Sequence, residues 1–147
     1  PYGKMLGAAP IGYQGNQKGS LIAIDRSFPG MEGVDPQIAL EDFWYASKLF
    51  ASDLHVIWAL DGSKMKGNLY QRGAFPVAWA RQEGKGRVFY TSMGGKKETW
   101  THESFQKMLM GAIRWTTGLA QADITPNLQK VTPKANEIPS SALKPLL

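Results

Sequence analysis

The sequence predicts an α/β fold, and three observations carry that prediction. Two β-rich runs, Val77–Arg81 and Arg87–Met93, flank the short connection Gln82-Glu83-Gly84-Lys85-Gly86, a hairpin signal. Phe105, Met108, Leu109, Ala112, Ile113 and Thr116 recur at helical spacing and form one apolar stripe. The run DLHVIWAL at 53–60 is rich in apolar β-formers, as expected of a buried strand.

The remaining elements follow in chain order. SLIAID at 20–25 reads as a short strand, and RSFPGMEGVDPQ after it holds two Pro and two Gly and reads as a loop. ALEDFWYASKLF (39–50) is too aromatic for solvent and is expected as irregular or extended chain laid on the core. DGSKMKGNLYQRG (61–73) is a polar loop. Pro76 fits only as the first residue of its strand. The strand Arg87–Met93 is apolar on both sides, with Val88 and Tyr90 one way and Phe89 and Met93 the other, so it needs cover on both. Thr101 is the expected helix N-cap, Glu103 suits the first turn, and Gly118 supplies the stop.

The chain divides into residues 1–120 and a Pro-rich segment, 121–147, expected to be extended over the domain or to act as a linker. One strong helix covers one face of a sheet, so the second layer is expected upstream of Pro1, with this chain a piece of a longer one. Expressed alone it should be marginal and self-associating.

Composition narrows the function classes. The 147 residues carry 17 Lys and Arg against 12 Asp and Glu, a net charge of +5 and a pI near 9.5. The cations are scattered and no aromatic-flanked basic motif accompanies them, so nucleic acid is not the expected partner. There is no cysteine, which removes disulfides, thiolate metal sites and a thiol nucleophile, and with them glutaminase activity. No apolar run reaches membrane-span length, and no signal peptide is written at the start; the compartment stays open.

Few residues carry chemistry. Gly94-Gly95-Lys96-Lys97 sits between strand and helix, where backbone N–H groups and the helix dipole favour an anion. It is not a phosphate-binding P-loop, because the first glycine of that motif would fall at Tyr90 and Lys97 takes the Ser/Thr place. A tight turn with solvated lysines explains the same residues. His55 and His102 are the only histidines, too few for a histidine-based metal site, and neither metal nor cofactor is expected. His55, inside an apolar run, reads as a hydrogen-bonded structural residue, and His102, at a helix start, as exposed and neutral. Trp44, Tyr45, Trp58, Trp79 and Trp100 serve either as core or as rings for stacking on sugars.

The run PVAWARQEGKGRVFYTSMGGKKETWTHESFQKMLMGAIRWTTG, Pro76 to Gly118, resembles the C-terminal part of ThuA-like (trehalose-utilisation) domains. Upstream, KMLGAAPIGYQG, DRSFPGMEGV and FWYASKLF resemble three shorter family segments. The resemblance implies the second half of a domain with a class I glutamine-amidotransferase-like fold, a flavodoxin-like doubly wound sheet ending in a hairpin and an amphipathic helix. It also implies a role in carbohydrate use. In the amidotransferase relatives a strand in the place of Arg87–Met93 ends in the catalytic histidine, at the ligand-binding end of the sheet.

This chain departs from the family pattern at four positions. Gly94-Gly95 stands where Gly-His is frequent, Phe28-Pro29 where His-Pro is usual, Tyr13 near the first histidine, and Ser47-Lys48-Leu49-Phe50 in place of Asp-Glu-Leu-Tyr. General acid–base catalysis therefore lacks its players here. Two readings stand. In one, the domain binds or processes a sugar or glycoside, with Tyr90 and Ser92 as hydroxyl donors, Lys48 and Lys96 as electrostatic stabilisers, and Gly94 and Gly95 as a backbone cradle. In the other, the domain is a non-catalytic sugar-binding or scaffolding module of a larger protein.

Overall fold

The structure, a computed structural model, describes residues 1–143. After a short helix α1 (Tyr2–Leu6) come β1 (Ala9–Gly12), β2 (Asn16–Ala23), β3 (Gln37–Phe43), β4 (Ala46–Lys48), β5 (His55–Asp61), β6 (Phe75–Glu83) and β7 (Gly86–Thr91). Helix α2 (Glu103–Thr116) and the single turn α3 (Leu128–Val131) follow. Five strands form one sheet in the order β3-β2-β5-β6-β7, and β1 and β4 form a separate two-stranded ribbon. The fold is mixed α/β.

Every pairing among the described residues is antiparallel. The reason is local: β2–β3, β5–β6 and β6–β7 are joined by turns or loops, and no helical crossover, as a parallel pair requires, intervenes between any paired strands. The parallel strands of a doubly wound sheet are therefore not among residues 1–143. The hairpin is where the sequence places it, with Ala78 opposite Thr91 and Glu83 opposite Gly86. The 39–50 segment is more regular than expected. Its first part is strand β3, paired along its length with β2, and its second part contains β4.

Both faces of the hairpin are covered from within the chain. On one face, Phe89 and Trp115 pack on Phe28, with ring centroids at 6.0 and 5.7 Å, so the 26–34 loop and α2 cover that side. The loop meets the helix backbone to backbone. A Cβ on Gly111 would lie 1.7 Å from the Pro29 carbonyl oxygen, so only glycine permits the approach. On the other face, the Trp79 indole donates to the Leu6 carbonyl (2.8 Å) and packs edge-on against Phe50 at 5.6 Å. The segments on that side within this chain include α1 and the 44–54 segment.

The C-terminal segment is held at discrete points. The Asn127 side chain bonds the Val56 amide and carbonyl, the Asn136 side chain bonds both backbone groups of Phe50, and Leu128 and Ala135 are buried. Residues 144–147, the end of the expected extended tail, lie outside the described residues.

Helix α2 begins two residues later than its expected cap. His102 is the N-cap and makes no side-chain cap bond, while the Thr101 hydroxyl donates to the Glu98 carbonyl in the preceding turn. Its buried stripe is Phe105, Met108, Gly111, Ala112 and Trp115, whereas Ile113 is 46% exposed. The stripe is rotated because Gly111 and Trp115 bear the contacts with the 26–34 loop.

Candidate functional site

The site assembles at the rim of the sheet, where the end of β3 meets the turn after β7. Asp42, near the end of β3, is fully buried, and its carboxylate accepts bonds from the Gly94 amide (2.8 Å), the Lys96 amide (2.9 Å) and the Thr99 hydroxyl (2.8 Å). Successive N–H groups in such a turn form a concavity for an anion, and here the anion is the protein's own carboxylate. Two of the amide donors that the sequence offers to a ligand are spent inside the molecule. The Lys96 ammonium is paired with Glu41 at 2.8 Å. Gly95 is exposed but closely backed, since a Cβ there would lie 2.9 Å from Asp42 Oδ1 and 3.2 Å from Phe43.

Above this turn sits a group of rings. Tyr13 packs on Phe43 edge-on (centroids 5.4 Å) and on Tyr45 (4.8 Å), and Tyr13 and Tyr45 are 44% and 41% exposed. Tyr70 fixes their spacing from below: its hydroxyl donates to the Trp44 carbonyl (2.7 Å) and accepts the Gln14 amide (3.0 Å). The residues beside both exposed tyrosines are thus held by one buried phenol, and burial pushes that phenol's pKa up.

Tyr90 forms the floor. Its ring stacks on Trp79 with centroids 4.2 Å apart and planes 24° apart. Burial pushes the Tyr90 phenol up; a hydrogen bond with Ser47 opposes this, and the neighbouring Tyr2 and Tyr45 hydroxyls reinforce it. It therefore stays protonated near neutral pH, an O–H group rather than a base. Ser92 lies just beyond β7, with its Oγ enclosed and without a partner among the described residues. Lys48 ends β4, half-buried, next to Leu49, whose φ of 56° is the only left-handed non-glycine backbone among the described residues.

Three of the four departures from the family pattern meet here. Tyr13 and Gly95 both touch Phe43, Tyr13 touches Tyr45, and Ser47 faces Tyr90. The fourth, Phe28, is fully buried beneath α2 against the other face of the sheet. Trp100 adds a further exposed ring (52%), with its indole N–H on the Gly94 carbonyl and its edge against Phe105. Sequence reasoning offered Trp44, Trp58 and Trp79 equally for stacking, but all three are core, at no more than 1% exposed. It did not single out Tyr13 as a ring for stacking. The signal lies in the pairing of that loop with residues 67–70, which a linear reading does not display.

His55, at the start of β5, is bonded through both ring nitrogens to Thr125 and Asp25, neither of them a rim residue. His102 is half-buried rather than exposed, because its ring packs at the helix start with Nδ1 enclosed. No three His, Asp or Glu side chains gather in a metal-binding arrangement among the described residues, and no helix among them is long and apolar enough to cross a membrane.

The comparisons with known proteins agree with this architecture. The family model for ThuA, described as trehalose utilisation, matches residues 1–116. The crystal structure of a ThuA-like protein from Parabacteroides merdae superposes with a TM-score of 0.54 at 18% sequence identity. The match covers 82% of this chain and 46% of that one, so the chain spans about half the length of this relative. No curated protein is matched by the sequence. With a family match running from the first residue through α2, the chain belongs to the ThuA, or trehalose-utilisation, family.

Proposed function

We propose that this domain binds a neutral carbohydrate at the rim formed by Tyr13, Tyr45 and Tyr90, and binds it without turning it over. The observation that carries the reading is the half-exposed Tyr13–Tyr45 ring pair, with the Tyr90 phenol near Tyr45. A sugar ring presents C–H patches that stack on aromatic faces and hydroxyls that pair with O–H groups, and this rim offers both.

The charge balance favours a neutral ligand. Lys96 is paired with Glu41 at 2.8 Å, so the turn presents no unpaired ammonium from that residue. Turnover is disfavoured because the rim's proton carriers are unsuitable. Asp42 is enclosed by its four donors, Glu41 is held by Lys96, and Tyr90 is shifted away from neutrality. Of the residues that the sequence offered, Tyr90 serves as a hydroxyl group, Ser92 has its Oγ enclosed, Lys48 lies within one strand position of Ser47, and Gly94, Gly95 and Lys96 act by building the turn.

Titration of the labelled chain with trehalose, maltose and glucose, followed by amide and aromatic NMR shifts, tests this. Shifts should centre on Tyr13, Tyr45 and Tyr90, and Tyr13→Ala or Tyr45→Ala should weaken binding about tenfold, the equivalent of roughly 1.4 kcal/mol of stacking. Absence of any shift well above about 1 mM sugar, where a site worth roughly 4 kcal/mol is half filled, would turn the reading to a scaffolding module.

A further inference from the structure

We propose that His55 is a proton-dependent latch for the C-terminal segment, holding residues 123–126 against the sheet when its ring carries two protons and loosening them when it loses one. The ring sits between two acceptors: Nδ1 lies 2.8 Å from the Thr125 carbonyl oxygen and Nε2 lies 2.7 Å from Asp25 Oδ2. A carbonyl oxygen can only accept, so Nδ1 must donate. Asp25 Oδ1 already takes the Ser27 amide (2.8 Å) and hydroxyl (2.6 Å), the pattern of an ionised carboxylate, so Oδ2 also waits for a donor. Both contacts are satisfied only by the imidazolium. A neutral ring in either tautomer leaves one lone pair facing an oxygen in a site where the histidine side chain is 9% and the aspartate 15% exposed.

The charged neighbours agree with this. Asp25 supplies the counter-charge in the loop after β2. From the C-terminal segment, Asp123 feels the His55 ring electrostatically, while its own carboxylate holds the Thr125 amide and hydroxyl. Arg26 turns away to the Val34 carbonyl. His55 lies opposite Ala80, so the next residue on β6, Arg81, points to the other face, where it binds Asp53. No cation opposes the ring charge from these elements. The linked segment is the one that lies between the end of α2 and the Asn127 anchor, so its release needs no unfolding of the core.

The test is a pH titration of the labelled whole chain from about pH 5 to about pH 9, reading both ring nitrogens of His55 together with the Ile124 and Thr125 methyl resonances. A His102→Gln variant assigns the two rings. The expected result is that both His55 nitrogens are protonated at the acid end, and that losing one proton moves both methyls with the same midpoint. Asp25→Asn should leave both methyls fixed across the range, because an amide NH2 in the Oδ2 place donates to Nε2 of a neutral ring while Nδ1 keeps the Thr125 carbonyl. A parent ring that never carries two protons in the folded chain overturns the proposal, as do parent methyls that stay fixed while the ring titrates.

Discussion

Replacing Asp42 by Ala should be among the most damaging single changes at the rim. The carboxylate is fully buried and takes four donors, the Phe43, Gly94 and Lys96 amides and the Thr99 hydroxyl, at 2.7 to 2.9 Å. The Phe43 amide follows its own side chain and can find water when the carboxylate goes. The other three come from the turn after β7 and lose their partner together. An unsatisfied buried donor costs about 1–3 kcal/mol, and the losses are not fully additive, so a total of about 3–5 kcal/mol is expected. In a chain of this size that corresponds to a fall in melting temperature on the order of 10 °C. Asp42→Asn should recover little, because its NH2 group would face donors. Urea unfolding followed by circular dichroism measures the loss, and amide shifts of Gly94 and Lys96 locate it. A variant within about 1 kcal/mol of the parent, with those amides unmoved, would refute the claim that the carboxylate organises the turn.

Three further outcomes are expected. Phe105→Ala should cost about 3–5 kcal/mol whereas Ile113→Ala should cost well under 1, although both lie on the stripe read from the sequence; equal losses would contradict the rotated helix face. Gly111→Ala should destabilise severely, because its methyl would overlap the Pro29 carbonyl at 1.7 Å, and a well-folded variant by hydrogen exchange would exclude the backbone contact between the loop and α2. Burial raises the Asp25 pKa, but bonds from Ser27 and His55 outweigh it and the net shift is downward. Asp25 should therefore contribute stability above its unfolded value of 3.8 and lose that contribution as pH falls through its folded value, and Asp25→Asn should flatten this part of the acid unfolding curve.

The hairpin, the β5 strand and α2 are legible because each is encoded by neighbours: alternation and a Gly turn for the first, a continuous apolar run for the second, 3.6-residue spacing for the third. What the sequence conceals is long-range. Asp42 lies 52 residues from the Gly94 amide it accepts, so the anion-binding character of GGKK is readable while its occupant is not. The docking of the C-terminal segment was hidden for the same reason. Asn127 and Asn136 stitch the C-terminal segment to β5 and to Phe50 across 71 and 86 residues, and no periodicity marks a segment held by side-chain amides. Residues 39–50 were misread in part because aromatic density obscured the period of two that β3 obeys, with Leu40 and Asp42 buried and Ala39 and Glu41 exposed.

Asp42 also bears on what the rim can do. It ties one edge strand of the sheet, β3, to the turn that leaves the other edge strand, β7. Phe43 and Tyr45 follow it directly in sequence, and Tyr90 precedes the turn by a few residues, so this one carboxylate sets the distance between the exposed rings and the hydroxyl floor. Tyr70 fixes the Tyr13 side independently through Gln14 and Trp44. Both supports are buried, and neither depends on a ligand. A shallow site built on two exposed rings gains little contact energy, so its affinity depends on how little order remains to be imposed on binding. Loosening Asp42 should therefore weaken the sugar binding we propose through the spread of ring positions even in molecules that stay folded. Tyr45→Ala should weaken it by removing contact while leaving the melting temperature nearly unchanged.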